Sequence, residues 1–167
     1  MTGDRAADAV AGVVRRLDFP MFVVTAAADD ELSGCLAGFV TQCSIEPVRY
    51  LVCLSTANHT AGVAERTGAL AVHLLGADQH GLAEVFGALT GDVADKFSMV
   101  SWRPGTTGAP VLDECAAWFE GPVIHRFELG DHTGHVITPV DGGSGSHPGQ
   151  LNYSAVSDVD AGHPPGD

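Results

Sequence analysis

Apolar positions along the chain follow two periods. In residues 4–17 (DRAADAVAGVVRRL), Ala7, Val10, Val13, Val14 and Leu17 recur at helical spacing, and Arg15 and Arg16 sit in the last turn, where cations suit the helix dipole. Asp18-Phe19-Pro20 ends that helix. Residues 60–67 read as a short helix closed by Gly68, and residues 78–89 place Leu82, Val85, Phe86 and Leu89 on one face of a surface helix. Short apolar runs bounded by turn residues predict strands over 21–26, 36–45, 49–54, 69–75, 116–127 and 135–140. Residues 27–31 read as a polar turn, 92–97 as helical or turn, 102–110 as a loop and 128–134 as the turn of an antiparallel pair. Strands at short spacing, with helices that do not alternate regularly with them, argue against a doubly wound sheet. The expected fold is mainly β with peripheral helices, an antiparallel barrel.

At 167 residues the chain fits one domain, read as 1–154, with 155–167 as a flexible C-terminal tail; the run DGGSGSHPGQ before it also reads as flexible. The formal net charge of −13 comes from 21 acidic residues against 8 basic ones, and Lys96 is the only lysine. That balance argues against nucleic acid, whose phosphates need a basic surface, and against an anionic membrane. The chain has no run approaching the roughly 20 apolar residues of a membrane span, and its N-terminus lacks a signal-peptide core. Cys35, Cys43, Cys53 and Cys115 form no CxxC pair and read as buried free thiols, consistent with a cytoplasmic protein.

Four stretches carry candidate chemistry. Thr41, Gln42, Cys43 and Ser44 mix small, β-branched and hydroxyl residues; as bare chemistry this is an ordinary strand with incidental hydroxyls. Ser55-Thr56-Ala57-Asn58-His59-Thr60 offers hydroxyls, an amide and caps at a helix start, where free N–H groups suit a phosphate. Asp95-Lys96-Phe97 reads as an exposed cation beside an apolar anchor. Asp131, His132 and His135 form a weak metal-ligand cluster, with no other ligand motif nearby and two histidines that diverge in a turn between strands. There is no GxGxxG after a strand, no GxxxxGK[ST] and no GxSxG.

The run GFVTQCSIEPVRYLVCLSTANHT, then ALAVHLL, DKF at 95–97 and GDH at 130–132, in this order and spacing, resembles the flavin reductase-like, FMN-binding split-barrel family over roughly residues 19–153. The resemblance implies a split β-barrel that binds FMN or FAD and uses NADH or NADPH as co-substrate. It implies that Thr41, Gln42, Cys43 and Ser44 meet the polar edge of the flavin ring. It places Ser55, Thr56, Asn58, His59 and Thr60 along the ribityl chain and phosphate, Lys96 and Phe97 beside the flavin, and His132 by the nicotinamide. A homodimer and a flavin-dependent monooxygenase receiving reduced flavin are also implied. A flavin-holding electron-transfer module, or a barrel using haem or a deazaflavin, stays open. The chain departs from the family at Glu46-Pro47-Val48, which has one proline where a pair is common, and at His73, where many members carry asparagine. Its C-terminal end offers only Tyr153 in place of an aromatic-basic ending.

Overall fold

A computed structural model describes residues 2–88 and 95–160. Ten strands and three helices follow in the order α1 (Thr2–Val14), β1 (Phe22–Ala28), β2 (Glu31–Ala37), β3 (Val40–Ser44), β4 (Arg49–Ser55), α2 (His59–Arg66), β5 (Ala69–Leu74), α3 (His80–Ala88), β6 (Trp102–Pro104), β7 (Pro110–Leu112), β8 (Ala117–Glu128), β9 (His132–Ile137) and β10 (Asp141–Ser144). Short 3-10 turns cover Lys96–Ser98 and Tyr153–Val156.

The main sheet is antiparallel throughout, in the order β2-β1-β5-β8-β9-β4-β3, with β10 added to β8. Its long strand, β8, pairs with β5 through residues 117–122 and with β9 from Val123 onward, with a register shift between Val123 and His125. A bulge of this kind bends a strand, so one strand serves both halves of the curled sheet. The two end strands, β2 and β3, are consecutive in the chain but do not pair with each other. The Gly38-Phe39 corner joins them, and the Cys53 N–H donates to the Phe39 carbonyl at 2.9 Å. The result is an antiparallel split β-barrel, as expected, with its opening between β2 and β3.

Two cores fill the two sides of β1, whose residues are buried on both faces. Inside the barrel, Val24, Ala26, Val52, Leu54, Leu70, Val72 and Ile137 pack together, and α2 closes one end with Ala61, Val63 and Ala64. Outside it, Met21, Val23, Leu75, Phe86, Phe97, Leu112 and Leu151 pack beneath α3. Burial of such side chains, each contributing on the order of 2 kcal/mol, is the main stabilising term.

Several boundaries differ from expectation. Residues 36–45 are not one strand, because the chain turns at Gly38, where an added Cβ would collide with the Phe19 ring. β1 extends to Ala28, and Asp29, at φ 56°, makes the tight hairpin turn that replaces the longer loop over 27–31. The 102–110 loop contains the β6–β7 hairpin, and residues 141–144, expected to be flexible, form β10 against β8. The first helix ends at Val14, and its apolar stripe does not enter the core: Val10, Val13, Val14 and Leu17 are all exposed. Cys43 is exposed rather than buried, and all four cysteines are free. The expected helical residues at 89 and 92–94, and tail residues 161–167, lie outside the described part.

Candidate active site

A cavity of about 400 Å³ occupies the opening of the barrel. β2 supplies Cys35, Leu36 and Ala37 to its floor, the corner supplies Gly38 and Phe39, and β4 supplies Cys53, Leu54 and Ser55. Asn58, Asp131 and His132 form its polar rim, while Val14, Phe19, Met21 and Tyr153 close the far side. An apolar bed with a few convergent polar groups at one edge is the lining that a flat ring with a polar edge requires.

The rim is assembled by a tie between two loops. Both the N–H and the hydroxyl of Thr56 donate to the Asp131 carbonyl, at 2.9 and 3.1 Å. Gly130, at φ 93°, lets the chain reverse there, and the Leu129 N–H donates to the His132 carbonyl at 2.9 Å. The Asp131 carboxylate accepts from His132 Nδ1 at 2.7 Å, which fixes the ring's tautomer and leaves Nε2 as the second nitrogen. The His132 ring beside it holds the Asp131 carboxyl below the usual range. The far face of His132 is covered by Phe39, with ring centroids 5.2 Å apart.

Asn58 caps α2: its Oδ1 accepts the Thr60 N–H at 2.9 Å, while Ser55 Oγ accepts the Ala57 N–H at 3.3 Å. Ser55 and Asn58 therefore serve their own backbone and line the cavity as well. Thr60 turns inward, 1% exposed, and its hydroxyl pairs with Ser33 Oγ at 2.8 Å. His59 lies outside the lining and is paired with Glu31, which also binds Arg66; the two partners hold the Glu31 carboxyl low. Of the segment 55–60, the fold brings Ser55 and Asn58 to the cavity, and Thr56 acts through Asp131.

The strand 41–44 sits just beyond Phe39 as the edge of the sheet. Thr41, Gln42 and Cys43 are exposed, the register shifts between Gln42 and Ser44, and Gln42 Nε2 donates to the Ser44 carbonyl at 3.0 Å. These residues are not part of the cavity's lining.

Lys96 is not the exposed cation expected from its context. It is 6% exposed, and its ammonium donates to the carbonyls of Gly34 at 3.0 Å and Phe86 at 3.2 Å, pinning the turn after α3 to β2. Desolvation lowers its pKa. Phe97 packs edge-on between Phe86 and Trp102 in the outer core. Within this chain neither reaches the cavity.

The Asp131/His132/His135 cluster does not assemble. An odd spacing on β9 sends His132 to the rim and His135 inward, fully buried against β4, and no metal-binding group occurs among the described residues. The sequence reading missed the aromatic wall of Phe19, Phe39 and Tyr153. Phe19 looked like part of a helix stop and Tyr153 like a tail residue, and only the pairing of residues 151–153 with 19–21 brings them together.

An antiparallel barrel split between two consecutive strands, with a mixed apolar and polar cavity at the split, defines the class of protein. The chain belongs to the flavin reductase like family, whose domain model matches residues 14–157. It is 33% identical over 111 residues to a probable flavin reductase of Rhizobium meliloti (strain 1021), a match covering 66% of this chain and 35% of that protein. It is 29% identical over 117 residues to the FMN reductase (NADH) RutF of Stutzerimonas stutzeri (strain A1501), covering 70% of this chain and 67% of the relative. The chain thus spans about a third of the first relative's length and two thirds of the second's. Among solved structures, the flavin reductase domain protein of Arthrobacter sp. FB24 shares the fold at a TM-score of 0.80 and 22% identity, over 89% of this chain and 91% of that one. The Streptomyces globisporus NADH:FAD oxidoreductase SgcE6 matches at a TM-score of 0.70 and 26% identity, covering 77% and 76%.

Proposed function

We propose that this chain is a flavin reductase that transfers hydride from NAD(P)H to FMN or FAD and releases reduced flavin to a partner monooxygenase. The observation that carries this reading is the cavity at the split, with an apolar floor from β2 and β4 and a polar rim of Ser55, Asn58 and the Asp131–His132 pair. The NADH-dependent flavin activities in the names of the RutF and SgcE6 relatives support it.

A bound flavin would supply the redox chemistry as hydride acceptor, and the cavity's residues would hold and orient it. Leu36, Ala37 and Leu54 give the ring an apolar bed, and edge strand β3 presents Thr41, Gln42, Cys43 and Ser44 toward its polar edge. The Ser55 hydroxyl, the Asn58 amide and the start of α2 face the ribityl chain and phosphate. His132, held by Asp131 and Thr56, orients the nicotinamide. Its task is positioning, because transfer between stacked rings is governed by their separation and alignment.

A homodimer fits the same reading. Phe39, Ile45 and Val48 are 56%, 81% and 46% exposed around edge strand β3, an apolar margin beside the rim that a second copy would cover. Such a dimer would bring residues of both copies to the flavin.

Steady-state oxidation of NADH and NADPH by protein freed of flavin, with FMN or FAD varied, tests the proposal. Saturation in added flavin is expected. A bound chromophore with no NAD(P)H consumption would instead identify a flavin-holding module or a barrel using another electron donor.

A further inference from the structure

Four rings run along one side of the cavity. His132 lies 5.2 Å from Phe39, Phe39 lies 6.0 Å from Phe19, and Phe19 stacks on Tyr153 at 5.0 Å with the planes only 21° apart. All four residues line the cavity. Tyr153 marks the end away from His132. One face of its ring lies on Phe19, the residue is 49% exposed, and it lines the cavity.

A clasp of hydrogen bonds fixes the segment that carries Tyr153. The Asp18 carboxylate accepts the Ser154 N–H at 2.9 Å and the Ser154 hydroxyl at 2.8 Å. The Tyr153 N–H donates to the Phe19 carbonyl at 2.9 Å, and Leu151 is bonded to both Met21 and Leu75. The same bonds seat Leu151 and Val156 in the outer core, and between them the Tyr153 ring is left at the cavity. The wall thus continues from His132 through Phe39 and Phe19 to Tyr153, longer than one ring. A nucleotide with two planar bases on a flexible linker has the matching shape.

We propose that Tyr153, stacked on Phe19 and fixed by the Asp18–Ser154 clasp, is the platform for an adenine ring. The inference rests on the reductase reading for its ligand, since that reading puts an adenine-bearing dinucleotide in the cavity. NAD(P)H and FAD both carry this ring, and the test separates them. Base stacking on an aromatic side chain accounts for roughly a five- to hundredfold change in binding on truncation to alanine.

The test titrates AMP into the full-length protein by calorimetry and measures KM for NADH, reduced nicotinamide mononucleotide, FAD and FMN, using wild type, Tyr153→Ala and Tyr153→Phe. Tyr153→Ala is expected to weaken AMP binding about tenfold, with Tyr153→Phe near wild type. If the ring belongs to the nicotinamide dinucleotide, KM for NADH rises about tenfold more than that for the mononucleotide; if it belongs to FAD, the FAD value rises relative to FMN. Ser154→Ala, which loosens the clasp, is expected to move AMP affinity in the same direction by less. AMP affinity indifferent to Tyr153, or equal losses for long and truncated substrates, would overturn the platform while leaving NAD(P)H turnover intact. AMP binding that depends on Tyr153 in a protein without NAD(P)H turnover would keep the platform and remove the reductase reading.

Discussion

The histidines divide by what holds their ring nitrogens. His73 is fully buried: its Nδ1–H donates to the Val23 carbonyl at 2.9 Å, and its Nε2 accepts the Leu112 N–H at 3.0 Å. It therefore pins β5 to β1 and β7 as a neutral ring, and burial pulls its pKa from 6.5 down to about 4. In the unfolded chain the same ring takes up a proton at the ordinary value, so the unfolded state binds more protons between about pH 6.5 and 4. Stability is full above that window and falls through it as pH drops, by on the order of 3 kcal/mol. His135, also lowered by burial, acts in the same direction. Melting temperatures should decline from neutral pH toward pH 4, less steeply in His73→Asn; an identical decline in the variant would contradict the assignment. His132 is different, with one nitrogen on Asp131 at the cavity rim. His132→Ala should lower kcat/KM for NADH by about 10- to 100-fold with flavin affinity changed far less, and His132→Asn should retain much of the activity. A total loss in both variants, with a pH profile controlled by His132, would make it an acid or base rather than a positioning group.

At the scale of elements, local signals located β1, β4, β5 and β8 and the direction of pairing, while β9 lies at His132–Ile137, three residues before its expected place. Residues 49–54 and 69–75 had short apolar runs with turn residues at each end, and they became β4 and β5 within a residue. What was not legible depended on distant contacts. The corner at Gly38 is set by the Phe19 ring, 19 positions away in sequence, and β10 exists because Gly142 and Gly143 lie flat against β8, where a side chain would collide with Trp118. Glu120 shows the same dependence. Its fully buried carboxylate accepts the N–H groups of Thr106 at 2.6 Å and Thr107 at 3.0 Å, together with the Thr107 hydroxyl, and so shapes the β6–β7 hairpin that read as a loop. Lys96 is the counterpart among the expected site residues: nothing local distinguishes a lysine that binds carbonyls inside the fold from one that faces a ligand. Glu120→Ala would leave buried amide donors without partners, and it is expected to cost about 2–4 kcal/mol in denaturant unfolding. A change within 0.5 kcal/mol would show that the hairpin holds without it. Gly38→Val should displace Phe19, lower stability by roughly 1–3 kcal/mol and weaken flavin binding together; loss of one without the other would separate the corner from the cavity.

At the scale of the molecule, the acidic surface and the apolar margin around β3 act on association in opposite senses. The net charge of −13 disfavours assembly through the general surface, so association needs an exposed apolar patch, and the proposed dimer uses Phe39, Ile45 and Val48. Sedimentation should show a dimer that Ile45→Glu converts to monomer, with flavin affinity falling at least tenfold if the partner completes the site. A wild-type monomer that binds flavin tightly would refute the shared site. On the proposed function, this cavity brings a reduced nicotinamide against a flavin. The most direct measurement is anaerobic rapid mixing of NADH with FMN or FAD in the presence of catalytic protein, following the visible absorbance of the flavin. The account predicts bleaching far faster than without protein, slowed in His132→Ala; flavin that stays oxidised under those conditions would contradict it.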